Sequence, residues 1–318
     1  MKKRLRAQYI VELESKSVRL DVFMSGQLPD YSRSQIQNWI RSGFVQVDAV
    51  VCLKPRAQLS DGQSILLDVE IDAHSAAEPE KIALDILFED DDLVILNKPA
   101  GLVVHPGAGN ARGTMMNALL HHHPPLSLLP RAGIVHRLDK DTTGVMMVAK
   151  TPAAFQNLTQ ALSERRVKRQ YLAIADGEIK QSQVIDQPIA RHPVYRQKMA
   201  IQHHGKPAIS HISLLQRLTR YTLVSVTLET GRTHQIRVHL QSIGHPILGD
   251  STYGRHRGYH RLTAAVASDV LAFKRQALHA QTLCFIHPIT DRPCEFTASI
   301  PADFQHLISI LQPENERP

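Results

Sequence analysis

The chain predicts an α+β architecture in two domains. Residues 71–81 are small and polar and carry Pro79, so they read as a linker between a short first part and a long remainder. On both sides, strand-like apolar runs mix with stretches of helical period, without the regular alternation that builds a parallel βαβ sheet. The 318 residues are 43% hydrophobic, enough for one small core and one larger core. The expected boundaries are 16–70 for the first domain and 82–311 for the second.

In the first domain, Ser32 followed by Gln35 forms a capping box, Ile36, Trp39 and Ile40 recur at i, i+3, i+4, and Gly43 stands where a helix stops. Val45 and Val47 then alternate with polar residues, Asp48-Ala49 makes a turn, and Ser64 to Val69 reads as a second strand. A helix packed on a small sheet results. Beyond the linker, Leu84 to Glu89 and Leu93 to Asn97 are apolar runs joined by Asp90-Asp91-Asp92, a hairpin opening a larger sheet. From Ala153 to Arg166, Phe155, Leu158 and Leu162 recur at helical spacing. Tyr171 to Ala175 and Leu223 to Leu228 read as strands.

A net charge of +7 favours polyanionic partners: RNA, DNA or an anionic membrane. No run approaches the roughly 20 apolar residues of a membrane span. The start, MKKRLRAQYIVELES, has no apolar core of about 7 to 15 residues, so it is not a secretory signal. Membrane readings therefore rest on charge alone. Cys52, Cys284 and Cys294 are scattered, with no metal or redox spacing, which fits a reducing cytoplasm. His121, His122 and His123 have no cysteine or carboxylate at ligand spacing, so a solvated loop is expected there and no metal.

Chemistry concentrates between Gly133 and Gly144. His136, Arg137, Asp139, Lys140 and Asp141 interrupt two strand-like apolar runs, Ile134-Val135 and Val145 to Val148, which places polar groups in a loop where sheet ends meet. One carboxylate among cationic neighbours can serve as a nucleophile. A turn in which Asp139 and Asp141 bond their own backbone accounts for the same residues. Further on, Arg165, Arg166, Lys168 and Arg169 follow a helix end and border Tyr171, a candidate phosphate-binding run beside an aromatic face.

His136-Arg137-Leu138-Asp139-Lys140-Asp141-Thr142-Thr143-Gly144 is similar to the signature loop of pseudouridine synthases that modify ribosomal large-subunit RNA and some tRNAs. Val167 to Ala173 and Gly231-Arg232-Thr233-His234-Gln235-Ile236-Arg237-Val238-His239 resemble two further motifs of that family, in the same order. The likeness extends over Phe88 to Gly107 and His245 to Asp250. Arg19-Leu20-Asp21, Ser32-Arg33-Ser34, Gly43 to Val47 and Gly62 resemble an S4 domain, a small RNA-binding module, with Asp48-Ala49 where that family usually has Asn-Gly.

The resemblance implies a catalytic domain with a mixed, mainly antiparallel sheet and a central cleft, preceded by the S4 domain. It implies isomerisation of uridine to pseudouridine, with Asp139 catalytic, Tyr171 against the target base and Arg237 paired with the carboxylate. The helical face of the S4 domain would meet RNA, implicating Arg33 and Arg41. A base in a stem must leave its stack, and Arg137 or His136 is expected near the vacated position. The expected partner is large-subunit rRNA, free or in a pre-assembled subunit, with no membrane, and the chain is expected to be a monomer. No dinucleotide fingerprint or phosphate loop is present and the isomerisation needs neither redox nor energy input, so no cofactor is expected. Competing expectations are a related synthase with a tRNA or other rRNA target, an idle RNA-binding assembly factor, and a glycosidic hydrolase.

Overall fold

The computed structural model describes residues 2–12, 17–28, 31, 33–72, 77–107, 109–254 and 262–313. Contacts divide the chain into two compact units, one ending at Glu78 and the other starting at Pro79.

The first unit is built on an antiparallel sheet, in the order β1-β6-β3-β4, of β1 (Lys2–Ile10), β3 (Val45–Val47), β4 (Val50–Val51) and β6 (Ser64–Asp72). The short β2 (Val18–Arg19) and β5 (Gln58–Leu59) pair separately. Helices α1 (Leu20–Gln27) and α2 (Arg33–Arg41) bury Leu20, Met24, Ile36 and Ile40 in one cluster with Val45, Ile65 and Leu67. α2 is the helix expected from its apolar stripe, while Ser32 of the expected capping box lies outside the described residues. β1 precedes residue 16 and pairs with β6 along all nine of its residues, and β6 runs through Ile71 and Asp72 into the stretch read as linker. Asp48 and Ala49 take positive φ, 50° and 64°, the two successive left-handed residues a tight hairpin turn needs. Hydrogen bonds from Ser64 N (2.9 Å) and Gln63 Nε2 (2.7 Å) to the Asp48 carboxylate pin that turn without Asn-Gly.

Asp21 is the buried anchor of this unit. Its carboxylate accepts from Arg19 Nη2 at 2.9 Å, Arg33 Nη2 at 2.9 Å and Gln37 Nε2 at 2.6 Å. Burial pushes its pKa up, but hydrogen bonds from Gln37, Arg33 and Arg19 outweigh that and leave it below the ordinary carboxylate range. Asp21→Ala is therefore expected to destabilise this unit by about 2 kcal/mol. Trp39, the single tryptophan of the chain, lies in the same core, so urea unfolding followed by its fluorescence reads this unit. An unchanged midpoint would contradict the anchoring role.

The second unit holds a nine-stranded sheet in the order β11-β14-β15-β10-β16-β9-β8-β7, with β17 also on β16. Its strands are β7 (Ile86–Glu89), β8 (Leu93–Lys98), β9 (Thr143–Ala149), β10 (Lys168–Asp176), β11 (Gln183–Asp186), β14 (Ile209–Arg217), β15 (Tyr221–Leu228), β16 (Leu278–Ile286) and β17 (Pro293–Thr297). The β16–β9 pair is parallel and the others antiparallel, the mixed sheet the sequence leads one to expect. β7 and β8 form the expected hairpin through Asp90 to Asp92. β9 is buried at all seven positions, so both its faces are covered and its sequence shows an unbroken apolar run. Helix α4 (Pro152–Ser163), capped by Thr151, packs Ala154, Leu158 and Ala161 on one of these faces.

Two expectations differ from the structure here. Ile134-Val135 is not a strand; Ile134 makes an isolated bridge to Val148 after a 3-10 turn. His121 and His122 close helix α3 (Met115–His122), whose start carries a capping box of Thr114 and Asn117, and His122 pairs with Glu89 at 2.8 Å. The histidine run is thus no loop. Among the described residues no cluster of metal-ligating side chains forms, and no helix is long and apolar enough to cross a membrane.

Candidate active site

β9 and β16 pair as strands at Thr143–His279 and Gly144–Ala280, and from Thr282 onward β16 pairs with β17 instead. Gly144 has φ +112°, and a β-carbon there would collide with the carbonyl of Ala280. Tyr171 of β10 faces the same Ala280 across the sheet, at a register shift between Gln170 and Tyr171. The loop carrying Asp139 enters the sheet beside this row, which puts the carboxylate near the Tyr171 ring.

The loop itself is held through its backbone. Lys98, 1% exposed, donates to the carbonyls of Pro99 (2.7 Å), Leu102 (3.0 Å) and Lys140 (2.8 Å). Thr142 N bonds back to Asp139 O at 3.1 Å, and Gln276 Nε2 donates to Thr142 Oγ1 at 3.0 Å. Arg275 is paired with Asp303 at 2.8 Å and directs Nη1 toward Asp141 O. The turn at Asp139 is closed by backbone groups and not by the Asp139 or Asp141 carboxylates expected to bond their own backbone, so the Asp139 side chain is directed to Arg237 instead.

Arg237 comes from helix α5 (Gln235–Ser242), whose orientation is fixed by its first residue. Gln235 donates to Ile209 O and Ser210 Oγ, both at 3.0 Å, and accepts from Thr230 Oγ1 at 2.9 Å and Arg232 N at 3.0 Å. Two residues on, Arg237 donates from Nη1 to Asp139 Oδ2 at 2.9 Å, and from Nε and Nη2 to Asp250 at 2.7 and 2.9 Å. Burial alone would lower the Arg237 pKa, but Asp250 and Asp139 hold the guanidinium charged, above its usual range. The Asp139 side chain is 20% exposed, whereas that of Asp250 is fully buried.

Asp139, Arg137 and His234 line two cavities, of about 410 Å³ and 760 Å³, within the size range of small-molecule sites. The smaller one also holds Tyr171, His136, Arg165 and Arg169, so the structure brings together seven of the eleven candidates named from the sequence, counting Arg237 through its bond to Asp139. Arg33 lies in the first unit, in ion pair with Asp21. Arg166 and Lys168 line a separate depression beside Cys284 and Pro293. The run Arg165, Arg166, Lys168, Arg169 is thus not one patch, because β10 begins at Lys168 and successive strand residues point to opposite faces.

The cationic residues differ in state. Arg137 is exposed and has no hydrogen-bond or ion-pair partner among the described residues. His136 accepts from Met147 N at 3.0 Å, and burial with Arg169 nearby lowers its pKa to about 3, so it lines the cavity as a neutral ring. Arg165 pairs with Glu229 at 3.0 Å. Arg169 is buried against Gly231, where a β-carbon would displace its guanidinium. Arg131 and Arg232 join them, giving the cavity five arginines against Asp139 and Glu229.

The sequence matches the family model described as RNA pseudouridylate synthase over residues 92–242, and that of the S4 domain over residues 18–65. It is 47% identical over 303 residues to the Ribosomal large subunit pseudouridine synthase D of Pasteurella multocida (strain Pm70), covering 95% of this chain and 94% of that protein. The chain belongs to the RNA pseudouridylate synthase family. It is 44% identical over 317 residues to the protein of the same name from Escherichia coli (strain K12), covering 99% and 97% of the two chains. Among solved structures, Human RNA Pseudouridylate Synthase Domain Containing 4 is similar with a TM-score of 0.56 and 26% identity, over 71% of this chain and 92% of that one. As a pseudouridylate synthase the chain is an isomerase that converts uridine to pseudouridine in RNA.

Lys98, Asp250 and His234 were not singled out in the sequence. Lys98 and Asp250 stand in segments similar to the family, but nothing in either segment announces which distant group it will meet. Lys98 carries a test with a definite sign. Burial lowers its pKa from 10.5 to about 8, against the pull of Asp141 and Asp139. Between those values the unfolded chain binds the extra proton, so the contribution of Lys98 to stability rises with pH across that window. A neutral amine has two hydrogens for three carbonyls, so the grip on the loop loosens over the same range. Urea-unfolding free energies of wild type and Lys98→Met are expected to diverge from pH 8 to 10.5 while wild-type turnover falls. A constant difference would contradict the assignment.

Proposed function

We propose that the chain isomerises specific uridines to pseudouridine in large-subunit ribosomal RNA, with Asp139 as the catalytic carboxylate. The observation that carries this reading is an accessible Asp139, held at 2.9 Å by a buried arginine, beside Tyr171 in an arginine-lined cavity. The target rests on the names of the relatives at 47% and 44% identity.

The reaction breaks the bond from ribose C1′ to uracil N1, turns the base and joins C1′ to C5. The C5 hydrogen leaves as a proton and N1 gains one. Departure of the base leaves positive charge on the sugar, which a carboxylate beside C1′ either traps as an ester or relieves by taking a proton to give an unsaturated sugar. Oδ2 of Asp139 is taken by Arg237, so Oδ1 is the atom that faces the ribose. Tyr171 offers the detached base a flat surface. The uridine leaves its stack to reach this point, and Arg137, exposed and unpartnered, fills the vacated place. Arg165 and Arg169 meet phosphates at the cavity, and Arg166 and Lys168 meet the flanking strand.

Residues 16–70 act as an RNA anchor through Arg33 and Arg41, residues 71–81 as linker and residues 82–311 as the catalytic domain. The chain works as a cytoplasmic monomer on an interface stem-loop of large-subunit rRNA, free or in a pre-assembled subunit. Since the C5 hydrogen is released, tritium freed from rRNA carrying [5-³H]uridine reads turnover directly. Asp139→Asn is expected to lower it by about 10³-fold or more while RNA affinity stays within twofold. Turnover near the wild type would sink the role of Asp139, and free uracil as product would point to hydrolysis.

A further inference from the structure

Tyr253 stands three residues past Asp250, 3% exposed, and three contacts converge on it. Its hydroxyl accepts from Met199 N at 2.7 Å and lies 2.8 Å from His234 Nδ1, and its ring lies 5.0 Å from the Arg237 guanidinium carbon. Among the described residues the hydroxyl hydrogen has one acceptor, His234 Nδ1. That bond selects the tautomer of His234 with its hydrogen on Nε2, the nitrogen 3.8 Å from Asp139 Oδ1. Burial keeps the imidazole pKa below its ordinary value, despite the pull of Asp139, so the ring is neutral. His234 reaches this place with φ 56° and ψ 21°, an unusual backbone for a residue with a side chain, immediately before α5.

The geometry points to Tyr253 and His234 as positioning residues: Tyr253 fixes His234 as an Nε2–H donor aimed at Asp139 Oδ1, the oxygen that Arg237 leaves free. This rests on the role proposed for Asp139. At 3.8 Å the bond to Oδ1 is not made, and closing by about 1 Å completes it. The movement has a source in the fold. Tyr253 shares a small core with Ile189, Met199 and Ile201, from the hairpin of β12 (Ile189–Arg191) and β13 (Met199–Ile201). The tip of that hairpin brings Tyr195, Arg196 and Lys198 to the larger cavity at Asp139, with Tyr195 exposed and Lys198 Nζ 5.7 Å from its ring centre. An aromatic face with cations beside it suits an unpaired nucleotide. RNA seated on the hairpin therefore bears, through Met199 and Tyr253, on the residue that steadies the second oxygen of Asp139.

The test is a double-mutant cycle on the full chain, read by tritium release and pseudouridine mapping on large-subunit rRNA. Tyr253→Phe is expected to lower kcat about tenfold with KM unchanged. His234→Gln keeps an N–H donor that needs no tautomer selection, so adding Tyr253→Phe to it is expected to change kcat by less than twofold. His234→Ala, with no donor, is expected to lose at least as much as Tyr253→Phe. Wild-type kcat in Tyr253→Phe, a loss confined to KM, or an equal tenfold loss in both backgrounds would each overturn the inference. A wild type that makes no pseudouridine would overturn the proposed function itself, a different and separable outcome.

Discussion

Arg237 lies buried between two carboxylates, with Asp250 holding two of its nitrogens and Asp139 taking the third. A buried guanidinium with one partner removed is a costly group, so the fold must deliver both carboxylates to it together. Much of the second unit does this. Gln235 bolts the start of α5 to β14 and Thr230. Asp250, fixed in turn by the backbone N–H groups of Thr252 and Tyr253, spends its other lone pairs locally. Because Asp250 holds the guanidinium by two bonds, its free nitrogen has one direction to point, and Asp139 is there.

The carboxylate end is fixed by different means. Its loop has no regular structure of its own, and its backbone carbonyls are gripped by Lys98 and Arg275 from two other parts of the chain. Gly144 lets β9 press against Ala280, so the loop starts its strand one row from Tyr171. The result is a polar group that is rigid yet 20% exposed, which is what a carboxylate needs to meet a sugar carbon without first being desolvated by its own protein. The arginines around it leave the cavity electropositive, and Arg137, unlike Arg165 and Arg169, is not engaged by the protein.

The α+β class, the opening hairpin, helix α4 and the joining of Asp139, Tyr171 and Arg237 were legible in the sequence, since the first three follow from periodicity and the last from motif resemblance. The strand β1 was not, because KKRLRAQYI surrounds its inward Leu5 and Tyr9 with charge that hides the alternation. The His121 to His123 run read as loop because its composition outweighed the apolar residues before it, whereas Met115, Leu119 and the Thr114 cap make a helix of it. The basic run at 165–169 read as one patch because sequence distance says nothing about a helix end turning into a strand. His136, expected near the RNA, lines the cavity as a neutral ring bonded to Met147, a state its place beside Arg137 in the sequence does not announce. Partners joined across long separations and outside the recognised motifs, such as Lys98 with Lys140 and Arg275 with Asp141, are set by the fold and carry no local mark.

If the buried pair with Asp250 is what aims Arg237 at Asp139, removing one charge from that pair must disturb chemistry more than binding. The decisive measurement is kcat for uridine isomerisation by Asp250→Asn, beside its affinity for the same RNA. The arrangement described above predicts a fall in kcat of about 100-fold with affinity within twofold of the wild type. A variant that folds, binds RNA and turns over at the wild-type rate would contradict it.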